Sequence, residues 1–263
     1  MLYESINVPL WNELRHVQNM RILDVGCGTA ALGELLSENG NYVEGITHSQ
    51  SEAEISKKRI DKVHVLNLDK LDSMEFAIDG RFDIILFADV LEHLLAPEAT
   101  LGFFAQFLSE NGKVYVSLPN VACFYVRLGL LFGRFDMSSA GGILDETHLH
   151  FYTRKSARLL LRKSGFEIIR ARYVPAMSVW AYQFIKKPQA SAPQKMADSG
   201  LFKFYERWVY PVESLVARCW PGLLANQFVF TISPTKPVSA TGTELESTTV
   251  SNLESAQPAR LMS

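Results

Sequence analysis

The chain has 263 residues, of which 48% are hydrophobic, and its formal net charge is −2 at pH 7. This size and apolar content suffice for one α/β domain of about 200 residues with an appendage. The small net charge gives no reason to expect nucleic acid as a partner. No apolar run reaches the roughly 20 residues of a membrane-spanning helix, and the N-terminal residues do not have the pattern of a secretory signal. We therefore expect a cytoplasmic protein.

The three cysteines, Cys27, Cys123 and Cys219, are odd in number and far apart in the sequence. They have neither the spacing of a disulfide framework nor that of a zinc site, and are typical of a reducing compartment. Histidines and carboxylates are scattered without the spacing of a metal motif. The sequence therefore predicts a protein that needs no metal.

The first strong pattern in chain order is a strand, a glycine turn and a helix. Residues 22–25 are apolar apart from Asp24 and predict a buried strand, Gly26 and Gly28 follow it in a tight turn, and leucines at helical spacing come next. Glycines in such a turn let a ligand lie against bare backbone, with helix N–H groups pointing at it. The pattern predicts a nucleotide-type cofactor site, although glycines also occur in such turns for steric reasons alone.

Strands and helices then alternate along the chain. Residues 1–19 predict a helix, and further strands are predicted over 42–46, 63–66, 82–87, 113–118, 166–173 and 227–232. This alternation predicts a doubly wound parallel sheet. We expect residues 1–174 plus 226–233 to form one domain, residues 175–225 an aromatic-rich insertion or lid, and residues 234–263 a disordered tail.

Three segments, at 23–29, 82–85 and 89–94, resemble the class I S-adenosylmethionine-dependent methyltransferases. The resemblance covers about residues 15–175 and the strand at 227–232. Segments 141–148 and 151–153 are similar to a subgroup associated with surface-polysaccharide biosynthesis. The resemblance implies an α/β fold with a Rossmann-like, seven-stranded, doubly wound sheet whose last strand is antiparallel and hairpinned with the sixth. It also implies S-adenosylmethionine as the cofactor.

The resemblance also assigns cofactor-binding residues by position. The glycine turn would hold the methionine part of the cofactor, Asp24 would orient its amino group, and Asp69 would lie near the adenine. For His93, which follows Glu92 at the start of a helix, we favour a role in orienting that helix start or the cofactor pocket over one in proton transfer. The predicted set is Asp24, Gly26, Cys27, Gly28, Thr47, Leu68, Asp69, Ala88, Asp89 and His93. Cys27 is better explained by its small apolar volume than by nucleophilic chemistry.

Two positions depart from the family pattern. Ala30 replaces the third glycine of the turn, a change that we expect a helix start to tolerate. Thr47 and His48 stand where the family usually has an acidic residue that binds both ribose hydroxyls. A threonine here is similar to the cyclopropane-fatty-acid-synthase branch, but one hydroxyl holds a ribose less firmly than a carboxylate does. A non-catalytic binding module that retains the fold is therefore an open alternative.

Transfer of a methyl group to a hydroxyl oxygen requires a base for the departing proton, and two histidines are the predicted catalytic residues. His148 and His150 flank Leu149, so in an extended segment both side chains would face the same side. His148 is a candidate base or acceptor-binding residue; the alternative is a histidine that holds a lid by bonding to a carbonyl. Asp145 and Glu146 could bind sugar hydroxyls or cap the loop.

Seven basic side chains lie between residues 154 and 172, with only Glu167 as an acid among them. They form either a solvated face or, together with segments 121–135 and 175–225, a surface for an anionic membrane or a phosphate-bearing acceptor. The aromatic residues could equally close a lid or form a homodimer contact. We expect O-methylation of a sugar or other polyhydroxyl acceptor in surface-glycan assembly, with a phenolic quinone precursor as the nearest alternative.

Overall fold

The computed structural model describes residues 6–73, 78, 80–139, 141–176 and 205–235. The strands are β1 Arg21–Val25, β2 Tyr42–Thr47, β3 Lys62–Val65, β4 Phe82–Ala88, β5 Leu108–Pro119, β6 Phe166–Pro175 and β7 Ala225–Pro234. The α-helices are α1 Val8–Leu14, α2 Ala31–Glu38, α3 Gln50–Ser56, α4 Pro97–Ala105, α5 Phe124–Leu131, α6 Arg154–Lys163, α7 Tyr210–Cys219 and α8 Pro221–Leu224. Short 3₁₀-helices cover Leu68–Ser73 and Leu91–His93, and Tyr205–Val209 is π-helical.

The seven strands form one sheet in the order β3-β2-β1-β4-β5-β7-β6. β1 to β5 pair in parallel, whereas β7 runs antiparallel to both β5 and β6. This confirms the predicted seven-stranded, doubly wound fold with an antiparallel last strand. The strand order reverses between β1 and β4, and the carboxyl ends of strands at such a reversal form the crevice in which open α/β sheets bind ligands.

Both faces of the sheet are covered, which explains the apolar runs in its central strands. On β4, Ile84 and Leu86 pack with α1 and α2, whereas Ile85 and Phe87 pack with α4 and α6 on the opposite face. This alternation follows from the two-residue period of a strand. The helices thus fix β1 and β4, and with them the crevice, from both sides.

The structure corrects the predicted boundary between α4 and β5. The sequence places Leu108 on the buried stripe of the helix and a turn at 111–112, but Leu108 begins β5 and pairs with Phe82. A register irregularity between Phe82 and Ile84 accommodates the extra residues. The predicted cap of α6 is confirmed, since Thr153 and Ser156 form a reciprocal capping box.

The connection between β6 and β7 is described over residues 205–224, where α7 packs against β6. The rest of the predicted insertion, residues 177–204, and the predicted tail beyond residue 235 lie outside the described residues. The division into domain, insertion and tail therefore stays a prediction. Within the described ranges, the helices are too short or too polar to span a bilayer.

Candidate cofactor and acceptor site

The turn after β1 requires glycine at position 26 for two reasons. Gly26 has a φ of +79°, which side chains disfavour, and a Cβ placed there would lie 2.5 Å from Cγ2 of Val90. The N–H groups of Gly26 and Cys27 both donate to the Ile46 carbonyl, at 2.9 and 2.8 Å. Gly28 is also left-handed, with a φ of +54°. The turn is therefore anchored on β2 and presents bare backbone at the crevice.

Ala30, just before α2, has a φ of +59°. The sequence predicts that a helix start tolerates alanine here, but glycine adopts this left-handed conformation without strain and other residues adopt it at a cost. The replacement of the third glycine is therefore a strained substitution rather than a neutral one.

Asp24 is the charged group beneath this turn. Its side chain is only 2% exposed, and among the described residues its Oδ1 atom has no hydrogen-bond partner. Burial raises the pKa of this carboxyl from 3.8 to about 7. A buried carboxylate oxygen without a donor is costly, and a cation or N–H donor placed beside it removes that cost. Asp24 thus fits the predicted role of binding the amino group of a methionine-type cofactor.

Cys27 and Thr47 contribute to the site in different ways. Burial and the nearby Asp24 raise the pKa of the Cys27 thiol. The Cys27 sulfur packs so closely on Gly45 that a Cβ at position 45 would lie 2.7 Å from it. Cys27 therefore contributes packing beneath the turn. The Thr47 hydroxyl donates to Oε2 of Glu52 at 2.7 Å. Glu52 is buried in the first turn of α3, so the structure brings a carboxylate to the strand end that lacks the usual acid. Sequence reasoning missed it because it lies five residues beyond Thr47.

Leu68, Asp69 and Ala88 border the same crevice. Leu68 opens the 3₁₀-helix after β3 and packs partly against the larger core cluster. Asp69 is exposed, and its Oδ1 accepts from the backbone N–H of Leu95 at 2.9 Å. This bond ties the loop after β3 to the loop after β4. Ala88 ends β4, so all three predicted positions lie at the carboxyl edge of the sheet.

Asp89, predicted with Ala88 to line the methionine end of the cofactor, has a carboxylate that is hydrogen-bonded within the protein. Its carboxylate accepts hydrogen bonds from Asn7 Nδ2 at 2.7 Å, from the Ser117 hydroxyl at 2.7 Å, and from Gln227 Nε2 at 2.6 and 2.8 Å. Burial raises the pKa of this carboxyl, although these donors oppose the shift. The backbone N–H of Asp89, at a φ of +55°, also donates to the Ser117 hydroxyl at 2.9 Å. The three donors come from distant parts of the chain, so no local pattern could reveal them.

Glu92, His93 and His148 lie together beyond Asp89. The Nδ1 atom of His148 is 3.1 Å from the Ile143 carbonyl oxygen, and its Nε2 atom is 4.0 Å from Oε1 of Glu92. The imidazole rings of His93 and His148 meet edge to face, with centroids 4.6 Å apart. Burial and the nearby Asp89 raise the pKa of Glu92 well above its usual value, whereas burial and His93 lower that of His148. Glu92 was missed by sequence reasoning.

His150 lies in different surroundings from His148, which contradicts the predicted common side. The chain bends at Leu149 instead of remaining extended, and the backbone N–H groups of Leu149 and His150 both donate to the Glu92 carbonyl. The His150 ring packs near Tyr152 and borders a cavity of about 180 Å³. The two predicted catalytic histidines therefore have different neighbours, and the catalytic role of each stays a prediction.

Asp145 and Glu146 follow the Gly141-Gly142 turn; the Asp145 side chain is buried and the Glu146 side chain is exposed. Oδ1 of Asp145 accepts from the backbone N–H of Thr147 at 2.8 Å and from its hydroxyl at 2.6 Å. Asp145 thus caps the loop, which was the second of the two predicted alternatives.

The basic residues divide into two groups. Arg170 and Arg172 of β6 both pair with Glu13 of α1, the former at 3.4 Å, so an acid from outside the 154–172 segment neutralises two of its seven basic residues. A second group forms what we call the cationic cavity, of about 640 Å³, lined by Arg127, Arg154, Lys155 and Arg158. Beside it, α5, α7 and the residue that follows each of them expose apolar side chains. We call these the apolar rim, namely Leu128, Leu130, Leu131, Phe132, Val212, Leu215 and Trp220.

Fold and site together define a Rossmann-like α/β protein that binds its cofactor where β1 and β4 end. Residues 9–171 match the family model described as a methyltransferase domain, and the chain belongs to this family. The cofactor that this family and fold indicate is S-adenosylmethionine. The glycine turn and Asp24 are the residues that would hold this cofactor, which would supply a methyl group on a sulfonium for in-line displacement.

Relatives carry names that concern quinones. The ubiquinone biosynthesis O-methyltransferase of Bradyrhizobium diazoefficiens is 36% identical over 107 residues, 38% of this chain and 40% of that protein. The one from Aromatoleum aromaticum is 30% identical over 103 residues, 38% of this chain and 44% of that protein. The chain thus matches less than half the length of these relatives. The predicted polysaccharide subgroup stays a prediction.

Among solved structures, an S-adenosylmethionine-dependent methyltransferase from Archaeoglobus fulgidus superposes with a TM-score of 0.53. The match covers 86% of this chain and 90% of that one, at 15% sequence identity. At this identity the similarity shows the shared fold alone.

Proposed function

We propose that this methyltransferase transfers the methyl group of S-adenosylmethionine to a phenolic hydroxyl of an amphiphilic, quinone-type precursor. The observation that carries the proposal is the apolar rim beside the cationic cavity. Ala122 of this cavity comes shortly after β5, and Thr153 follows the loop that contacts Glu92. The cavity therefore opens on the same edge of the sheet as the cofactor crevice. The quinone-related names of the relatives support the same acceptor class.

A sugar acceptor, the first choice of the sequence analysis, is the second candidate. Sugar sites need side-chain acceptors for hydroxyl groups, and Asp145 and Glu146 were the predicted candidates for that task. In the structure its Oδ1 already accepts two hydrogen bonds from Thr147. Apolar side chains on α5 and α7 suit a ring or an acyl or prenyl chain better than they suit a polyhydroxyl compound.

For methyl transfer, the protein's main contribution is to align the methyl donor with the acceptor hydroxyl. Asp24 and the glycine turn position the donor, and removal of the hydroxyl proton needs a base at the acceptor oxygen. His148 has Nδ1 directed at the Ile143 carbonyl and Nε2 directed at Glu92. These contacts favour its role in holding the acceptor side of the site over direct proton removal. Of the two predicted bases, His150 keeps an Nε2 atom without a hydrogen-bond partner in the described part of the chain.

An acceptor of this kind would reside in a membrane, so the apolar rim and the cationic cavity would meet an anionic bilayer. Exposed leucine, phenylalanine and tryptophan side chains next to arginines are the composition of an interfacial contact. Vesicles that contain anionic lipid should co-sediment the protein, and a Leu131→Ser, Phe132→Ser double variant should weaken this binding. Ile169→Ser, at an exposed apolar position on β6, is the matched control. Equal binding of all three proteins would contradict the contact.

A methyl-transfer assay tests the function itself. The full chain is incubated with methyl-labelled S-adenosylmethionine and either a prenylated catechol or a nucleotide sugar, with Gly26→Arg as the inactive control. We expect label in the catechol that depends on Gly26. Label in the sugar alone would overturn the phenolic acceptor. Label in neither, with cofactor binding intact by calorimetry, would overturn both acceptor classes.

A further inference from the structure

Glu92, His93 and His148 place one carboxylate and two imidazoles around a common point. Their donor atoms all lie within 4.8 Å of one another. Glu92 is 0% exposed, and neither of its carboxylate oxygens has a hydrogen-bond partner in the described ranges. The 4.0 Å between its Oε1 atom and His148 Nε2 is too long for a hydrogen bond. We propose that these three residues bind a divalent transition-metal ion, with Zn²⁺ as the representative ion.

Hydrogen bonds behind the two histidines fix the tautomers that metal binding requires. His148 donates from Nδ1 to the Ile143 carbonyl, which leaves the lone pair of Nε2 facing Glu92. The Thr147 hydroxyl donates to Asp145, so it accepts from Nδ1 of His93 at 3.0 Å and leaves the His93 Nε2 atom free. Metal-bound histidines usually have their second nitrogen held in this way. The outer partners of a metal site are therefore already in place.

The spacing and charge of the cluster also suit a cation. Two ligands bound to one ion at about 2.1 Å lie about 3 to 4 Å apart, so the observed spacing needs only a small contraction. Asp89 and Asp145 both lie near enough to Glu92 to act on its charge, and a divalent ion would offset this concentration of carboxylates. Two imidazoles with one carboxylate select zinc or another transition metal over Mg²⁺, which prefers oxygen ligands.

This site departs from the metal independence that the sequence predicts. Glu92 and His93 are adjacent, but His148 lies 55 residues further along the sequence, so no short ligand motif exists to be found. Three protein ligands would leave one position open for the acceptor oxygen, whose pKa the ion would lower. That role rests on the proposed function, whereas metal binding by the cluster does not.

Metal titration of the full chain tests the inference. After removal of metals with a chelator, the protein is titrated with Zn²⁺ by calorimetry and with Co²⁺ by absorption spectroscopy. We expect one equivalent to bind, with a Co²⁺ spectrum typical of nitrogen and oxygen ligands. Glu92→Gln and His148→Gln should each weaken binding at least about 10-fold, and Thr147→Val should weaken it less. His16→Gln, an exposed histidine outside the cluster, should leave it unchanged.

Two measurements separate metal binding from loss of folding and from loss of the cofactor site. Thermal melts of the metal-free variants verify that each is folded, and titration with S-adenosylmethionine verifies the cofactor site independently. No Co²⁺ binding at millimolar concentration by a protein that still binds S-adenosylmethionine would overturn the metal site. Unchanged binding in both the Glu92→Gln and His148→Gln variants, or a thiolate band in the Co²⁺ spectrum, would overturn it as well.

Discussion

Two buried aspartates at the ends of neighbouring strands have opposite surroundings. Asp89, after β4, accepts hydrogen bonds from three side chains, whereas Oδ1 of Asp24, on β1, has no hydrogen-bond partner in the described part of the protein. Buried polar atoms are nearly always satisfied, so each exception needs a reason. The difference separates a carboxylate that holds the protein together from one that is completed by a ligand. Neither sequence position nor burial alone distinguishes the two.

The largest effect on cofactor binding should come from a large side chain in the glycine turn above Asp24. Gly26→Arg places a side chain where even a Cβ would lie 2.5 Å from Val90, and it fills the backbone cradle. We expect binding of S-adenosylmethionine to be lost, as measured by calorimetry. Gly40→Ala is the matched control, because Gly40 has a φ of +88° but, among the described atoms, nothing within 4 Å of an added Cβ. It should cost about 1–2 kcal/mol of stability and keep cofactor binding.

Asp24→Asn should weaken cofactor binding and stabilise the free protein. The amide retains the shape of the side chain but carries no charge to pair with the cofactor's amino group, so we expect at least about a 10-fold loss of affinity. The pKa of Asp24 is raised from 3.8 to about 7, and each unit corresponds to about 1.4 kcal/mol. At pH 8 the gain in the free energy of unfolding should therefore reach at most about 4 kcal/mol.

The gain in the free energy of unfolding on Asp24→Asn should depend on pH. A carboxyl group with a raised pKa in the folded protein binds more protons there than in the unfolded chain, so the wild type loses stability as pH rises from 4 to 7. The advantage of Asp24→Asn should vanish below pH 4 and be constant above pH 7. Denaturant titrations at both pH values measure it. An advantage that is equal at the two pH values would show that Asp24 is not the titrating group.

Asp89→Asn should have the opposite sign. The amide NH₂ group opposes donors from Asn7, Ser117 and Gln227, so at least one donor is left without an acceptor. We expect a loss of about 1–3 kcal/mol in the free energy of unfolding at pH 7. The same substitution at exposed Asp136 is the control and should change little. If Asp89→Asn stabilised the protein as Asp24→Asn does, the distinction between the two aspartates would fail.

The smallest effect should come from Ala30→Gly. The left-handed conformation costs alanine about 1–2 kcal/mol, and the greater freedom of glycine in the unfolded chain offsets about 0.5–1 kcal/mol of that. A net gain of up to about 1 kcal/mol should raise the melting temperature by about 2–4 °C. A lower melting temperature would show that the Ala30 methyl group, buried next to Gly33, contributes more by packing than it costs in strain.

The sequence predicted what is local and missed what is distant. The strand, turn and helix from residue 21 to 38 are contiguous, so their pattern and the family resemblance were enough to identify the fold and Asp24. The donors to Asp89 come from residues 7, 117 and 227, and the partner of Arg170 is Glu13, more than 150 residues away. Such contacts arise from the sheet order. For the same reason, the separation of Glu92 and His148 in the sequence could not predict that their side chains lie close together.

The position of β7 has a consequence for synthesis of the chain. β7 comes last of the seven strands in the sequence but lies between β5 and β6 in the sheet. A growing polypeptide that has not yet delivered β7 leaves β6 without its strand partner and exposes the edge of β5 that faces away from β4, and such edges promote association with other chains. Asp89 also lacks Gln227 until then. The nascent chain therefore completes the hydrogen bonds of Asp89 only when β7 is inserted.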